Sequence, residues 1–373
     1  MLKKELFFII IICLLLNTFQ KEIKKIFEPI KLKNLNLKNR IFRGSMPDDG
    51  FFQNGHITEE AYKYYEQLSK EGTSLIYTGA AAVSISSNYE KIGIFRIDKD
   101  EYIEDYKKLS DVIHKNNVPV ILDLIHPGIL KDKNGEEKVY GASKVRHPNL
   151  NVNNKELTKE DILKIEDEFE KGAIRAKKAN FDGIELHCAH LTLLSQFLSP
   201  AFNKRNDEYG GSDENRARIV IEIIQRIRKA VGNNFIISVK LNCNDGVERG
   251  ITIVQFLNIC KLIEKAGADI IQVSGNFLNR PKNNIPNFLS ETKNVSDILN
   301  IPIVLIGGIR DIETMEKILN ESKIEFFGFG RPLICEPDLV KRWENGERSK
   351  SKCIECNGCL KTFSHKCVMN KNK

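Results

Sequence analysis

Eight short apolar runs, each followed by a stretch of helical periodicity, constrain this chain more than any other feature. They are Ile41 to Ser45, Ser74 to Gly79, Val118 to Ile125, Phe181 to Leu186, Phe235 to Leu241, Asp269 to Ser274, Ile301 to Ile306 and Glu325 to Phe329. Such runs read as strands buried on both faces, and strands alternating with helices read as βα units on a parallel sheet. Eight units close an α/β fold into a (β/α)8 TIM barrel, a single domain that 373 residues can hold. Thr58 before Glu59-Glu60-Ala61 predicts an N-cap, Thr158-Lys159-Glu160-Asp161 a capping box, and Asp213 to Val231 a further helix. Phe27 to Asn39 is too short for a βα unit and is expected to form a small hairpin closing the barrel bottom. The long polar connections Lys131 to Lys155 and Asn276 to Phe288 are expected at the C-terminal face, as lids or substrate walls.

The expected organisation is a hydrophobic segment over 1–25, the barrel over 26–345 and a Cys-rich tail over 346–373. A hydrophobic content of 41% supplies a core. The net charge of +7 is scattered, without a basic run or interleaved aromatics, which argues against nucleic acid and for a small-molecule substrate. Lys3 and Lys4 precede an apolar stretch over residues 6–16, too short for a comfortable bilayer span. A membrane tether, a secretory signal and an upstream start compete as explanations, and the tether or the upstream start is favoured. Nine cysteines without a framework of spacings fit reduced thiols in a cytoplasmic enzyme. A homo-oligomer is compatible with all of this.

His187-Cys188-Ala189-His190 stands where the fourth run ends. Strand ends at the C-terminal face of a barrel point into its pocket, and two imidazoles there can grip a carbonyl oxygen or an oxyanion. Structural histidines are the competing explanation. Gly307-Gly308 and Gly328-Phe329-Gly330-Arg331 end the seventh and eighth runs, the barrel position where glycine backbones and an arginine can hold a phosphate. Lys240, inside Ile237 to Asn242, is a lysine in an apolar strand and calls for a buried partner. Cys353, Cys356, Cys359 and Cys367 have the number and kind of donors for an iron–sulfur cluster or zinc, with a reduced tail as the alternative.

The run Ser195-Gln196-Phe197-Leu198-Ser199-Pro200, Asn203-Lys204-Arg205, Asp207-Glu208-Tyr209-Gly210-Gly211-Ser212 and Glu214-Asn215-Arg216, behind the His pair, resembles the signature of the old yellow enzyme family of FMN-dependent oxidoreductases. The resemblance extends from Ile26, and Gly44-Ser45-Met46 is most similar to the 2,4-dienoyl-CoA reductase branch. It implies bound FMN, NADH or NADPH as reductant, and hydride transfer to an alkene conjugated to a carbonyl whose oxygen is held by His187 and His190. It also implies flavin contacts from Ser45, Met46, Gly79 and Ala80, with Lys240 beside flavin N1 and O2.

Three features depart from that pattern. Asp123 stands where relatives usually have Gln, so a group that donates and accepts is replaced by one that, when ionised, only accepts. Leu191-Thr192 replaces a Gly-Tyr whose phenol protonates the substrate in relatives. The cysteine spacing is tighter than that of the branch's [4Fe–4S] site. The expected activity is therefore an ene-reductase-type oxidoreductase, the alternative being a flavin-binding electron relay with little such activity. A dihydroorotate-type FMN barrel fits less well, because of the Tyr209-Gly210-Gly211-Ser212 run.

Overall fold

The computed structural model describes residues 25–46, 48, 50–53, 55–84, 94–128, 139–145, 154–275, 286–361 and 366–370. The segment 1–24 and most of the two expected lids (129–138, 146–153 and 276–285) lie outside the described residues. No helix among the described residues is long and apolar enough to cross a membrane.

All eight runs are strands of one parallel sheet. They are β1 (Ile41–Arg43), β2 (Leu75–Ala82), β3 (Val120–Ile125), β4 (Gly183–Cys188), β5 (Ile236–Asn242), β6 (Ile270–Ser274), β7 (Ile303–Ile306) and β8 (Phe326–Phe329). Each pairs with its successor, and β1 closes the ring by pairing with β2 on one side and β8 on the other. The main outer helices are α1 (Glu59–Lys70), α2 (Ile103–His114), α3 (Lys159–Lys178), α4 (Asp213–Val231), α5 (Ile253–Ala266), α6 (Leu289–Ile298), α7 (Ile312–Glu321) and α8 (Leu339–Glu344). The fold is the expected (β/α)8 barrel.

The helix boundaries follow local chemistry. Thr58 caps α1, and Thr158 and Asp161 form a reciprocal capping box on α3 that satisfies otherwise orphaned backbone donors. A second box, Thr252 with Gln255, starts α5, and Gly267 ends it in the left-handed conformation.

Period-two alternation divides each strand between two environments. Ile184, Leu186, Val239 and Leu241 face outward into the core shared with the helices. The inward positions change character with height. At the bottom, Phe42, Leu75, Ile121, Ile236 and Phe326 form an apolar plug, with Phe42 stacked on Phe326 at 4.7 Å. Leu32 and Leu37 join it from the antiparallel hairpin Ile30–Leu32/Leu35–Leu37, the expected bottom cover. Above the plug the inward residues turn polar: Asp123, Glu185, Ser238, Gln272, then His187, Lys240, Asn242 and Ser274, all buried. A barrel with such a gradient is sealed at one end and chemically equipped at the other.

Candidate active site

His187 and Lys240 are register partners on β4 and β5, and Asp123 stands opposite Glu185, one inward layer below. Asp123 Oδ2 lies 2.9 Å from His187 Nδ1, and His187 Nε2 lies 3.2 Å from His190 Nδ1. His190 Nε2 in turn lies 2.8 Å from Ser274 Oγ at the end of β6. Three strands thus contribute to one hydrogen-bonded chain. Asp123 Oδ1 is buried without a partner among the described residues.

Lys240 has the buried partner its position demands. Its Nζ donates to Ser45 Oγ (3.0 Å) and to the Ser45 carbonyl (3.3 Å), and Ser45 Oγ donates to Glu185 Oε1 (2.8 Å). Ser238 Oγ donates to Glu185 Oε2 (3.2 Å), and Gln272 Nε2 donates to the same oxygen. Burial pushes the Glu185 carboxyl up to about 8; Asp123 adds to the shift and Lys240 opposes it. Glu185 escaped the sequence reading because it sits inside a run that reads as apolar. The available signal was its place two residues before His187, which puts both on one face of the strand.

The remaining expected residues are distributed as follows. Gly79 lies at a bulge in β2, between Tyr77 and Ala80, and its N–H donates to Asp48 Oδ2 (2.9 Å) and Tyr65 OH (2.7 Å). A Cβ at Gly79 would sit 2.5 Å from Asp48 Oδ2, so the close approach itself requires glycine. Asp48 is also salt-bridged to the buried Arg43 at 2.6 Å. Ala80 faces the mouth beside Ala82 and Ile125. Met46 and Gly330 converge, since a Cβ at Gly330 would lie 2.5 Å from the Met46 sulfur. Gly307 and Gly308 are both left-handed, with φ of 88° and 76°. Arg331, expected at a phosphate, turns instead to the tail: its guanidinium bonds Asn357 Oδ1 (2.7 Å), Glu355 Oε1 (3.1 Å) and the Glu355 carbonyl (3.3 Å).

Thr192 is also turned away from the mouth. Its buried hydroxyl is shared between the carbonyls of His187 (2.7 Å) and Ala189 (2.9 Å). His190 and Leu191 are both left-handed, with φ of 58° and 66°, a conformation that glycine adopts more readily.

In the tail, Cys353, Cys356, Cys359 and Cys367 line one cavity of about 20 Å³ together with Cys335, which the motif did not include. That volume admits about one water-sized guest. Among the described residues no group of three or more His, Cys, Asp or Glu is arranged to hold a metal ion. The thiols as folded are therefore gathered but do not form a ligand set.

A family model for the NADH:flavin oxidoreductase / NADH oxidase family matches residues 25–350. The chain belongs to this family. Among other members, it is 33% identical to an NADH oxidase of Thermoanaerobacter brockii over 350 residues, covering 90% of this chain and 53% of that one. It is 31% identical to an NADPH dehydrogenase of Clostridium acetobutylicum over 323 residues, covering 85% and 93%. An old yellow enzyme homologue from Zymomonas mobilis shares the fold, with a TM-score of 0.75, 22% identity, and coverage of 88% and 94%. This family member spans about half the length of several curated relatives it matches. Members of this family are NADH:flavin oxidoreductases, and the barrel mouth offers a flavin suitable groups. Among the described residues Asp123 Oδ1 is a buried acceptor lacking a donor, and Lys240 is a buried lysine two strands away.

Proposed function

We propose that this chain binds FMN non-covalently at the barrel mouth and carries hydride from NADH or NADPH to an electron-poor alkene conjugated to a carbonyl. The observation that carries this is the convergence of His187, His190 and Lys240 above a sealed apolar plug, all inside a family whose members are flavin oxidoreductases. When bound, the flavin supplies the hydride-accepting and hydride-donating chemistry. Lys240, held by Ser45, offers positive charge to the flavin's pyrimidine edge, where reduction builds up negative charge. Asp123 Oδ1 can accept the flavin N3–H. The left-handed Gly307 and Gly308, together with Gly330, leave backbone N–H groups for the single phosphate. The His pair polarises the alkene at the acceptor's carbonyl oxygen, His190 through Nε2 and His187 through its bond to His190 Nδ1.

The test is a visible spectrum of purified protein followed by turnover of NADH or NADPH with cyclohexenone-like acceptors. Bound FMN with alkene turnover supports the proposal.

A second reading, a flavin-binding electron relay, is favoured by one observation. Arg331, directly after Gly330, bridges the flavin end of the barrel to the cysteine tail. Flavin reduction without alkene turnover would support it. A [4Fe–4S] cluster or zinc on Cys353, Cys356, Cys359 and Cys367 would require the thiols to regroup from their present arrangement. Iron and zinc analysis tests that part. The small-molecule acceptor, a homo-oligomeric state, a cytoplasmic location and a tether through residues 6–16 belong to the same proposal, as does the division at 25 and 345.

A further inference from the structure

Leu191-Thr192 puts no phenol behind the His pair, and the Thr192 hydroxyl is committed to two backbone carbonyls. The structure instead contains a continuous path, Asp123 Oδ2 to His187 to His190 to Ser274 Oγ, with steps of 2.9, 3.2 and 2.8 Å. We propose that this path is a proton wire that protonates the acceptor's carbonyl oxygen, so that the enzyme releases an enol. The inference rests on the ene-reductase reading above.

The bonding pattern fixes how the wire works. Asp123 accepts from His187 Nδ1–H, which leaves Nε2 as the ring atom that exchanges protons. With one extra proton, His187 is an imidazolium against the carboxylate. Its Nε2–H then donates to His190 Nδ1, and His190 Nε2–H points to the place Ser274 Oγ occupies. A ligand oxygen taking that place receives the His190 proton while the His187 proton moves to His190 Nδ1. Both rings end neutral, and the charge beside Asp123 has been delivered outward without either ring moving. Asp123 is a positioning residue that acts through His187.

The balance closes. The acceptor gains a hydride from the reduced flavin at its β-carbon. The alkene electron pair shifts to form the enol C=C, and the carbonyl oxygen takes the proton. Solvent reprotonates the wire, and the released enol ketonises in water. Because the α-carbon is protonated after release, the wire predicts that no α-face is preferred.

The test uses the flavin-loaded full chain with a 2-substituted cyclic enone and rapid quenching. The expected result is an α-centre formed with little enantiomeric excess, deuterium on both α-faces in D2O, and a bowed proton inventory from two protons in flight. A single α-stereoisomer with a linear inventory overturns the proposal. Asp123→Asn keeps size but removes charge and is expected to slow flavin reoxidation by about 10²–10⁴-fold, the usual worth of a positioned acid. It is also expected to shift the high-pH fall in rate to lower pH. Among the described residues the charged or titratable groups facing His187 are Asp123, His190, Lys240 and, one layer below, Glu185, so the same profile is taken for Glu185→Gln, whose shift should be the smaller of the two. An unshifted Asp123→Asn profile contradicts the wire. Protein that lacks flavin or turns over no enone fails the underlying reading instead. The wire is then judged by ¹⁵N resonances of the histidines: an Nδ1–H form of His187 lost in Asp123→Asn supports it, and rings insensitive to that change overturn it.

Discussion

His187 is held through both ring nitrogens, by Asp123 and by His190, so its orientation is set before any ligand arrives. Replacing His187 or His190 with Ala should weaken phenolate-type ligands by about one to two decades, the loss of a charge-assisted hydrogen bond worth roughly 1.5–3 kcal/mol. Spectral titration of the flavin-loaded protein measures it, and parental affinity in both variants would make the pair structural. Glu185 makes a different kind of prediction. An exposed Glu loses its proton near about 4.3, whereas this one is held up at about 8 by burial. Between those values the folded chain binds more protons than the unfolded chain, so this group's contribution to stability falls as pH rises and levels off above the folded value. Glu185→Gln should therefore flatten stability against pH across that window, by up to about 1.4 kcal/mol per pH unit. Urea unfolding at pH 5, 6, 7 and 8, taken here as about evenly spaced points in the window, reads the difference.

At the scale of elements, the eight strands were legible because each is buried on both faces and so reads as a continuous apolar run. The polar lining was not. Glu185 and Gln272 lie inside runs that read as apolar, and whether a residue faces inward depends on parity and on how the ring closes, neither of which a single run displays. The His pair was legible by position, but its link to Asp123 was not, because the pairing joins β3 to β4 across 64 residues. Ring closure also sets tolerances. Gly183 starts β4 where an added Cβ would lie 2.5 Å from the Ile236 carbonyl oxygen, a backbone atom that cannot swing aside. Gly183→Ala should therefore destabilise the barrel by about 1–3 kcal/mol. A lower urea midpoint with an unchanged slope is the expected observation, and an unaltered midpoint would mean that the β4–β5 contact relaxes freely.

At the scale of the whole molecule, the tail is fastened to the top of the barrel. Ser351 N–H donates to the Arg310 carbonyl and the Arg310 guanidinium donates back to the Ser351 carbonyl, each at 2.8 Å, Trp343 Nε1 donates to the Ser349 carbonyl at 2.9 Å, and Arg331 grips Glu355 and Asn357. Cys353 and Cys359 are buried by that arrangement, and burial pushes both thiols up. Arg331→Ala should free the tail and raise the rate of modification of these two thiols several-fold, with exposed Cys356 as the internal reference. Mass mapping after brief alkylation would show it, and unchanged labelling would mean that the Ser351 and Trp343 contacts hold the tail without Arg331. The arrangement from apolar plug to polar mouth underlies the proposal of a flavin seated above Glu185 and beside His187. The direct measurement is the visible spectrum of the purified chain, followed by denaturation and identification of the released flavin. The account predicts an oxidised flavin spectrum and FMN in close to equimolar amount. Colourless protein that cannot be reconstituted with FMN would contradict it.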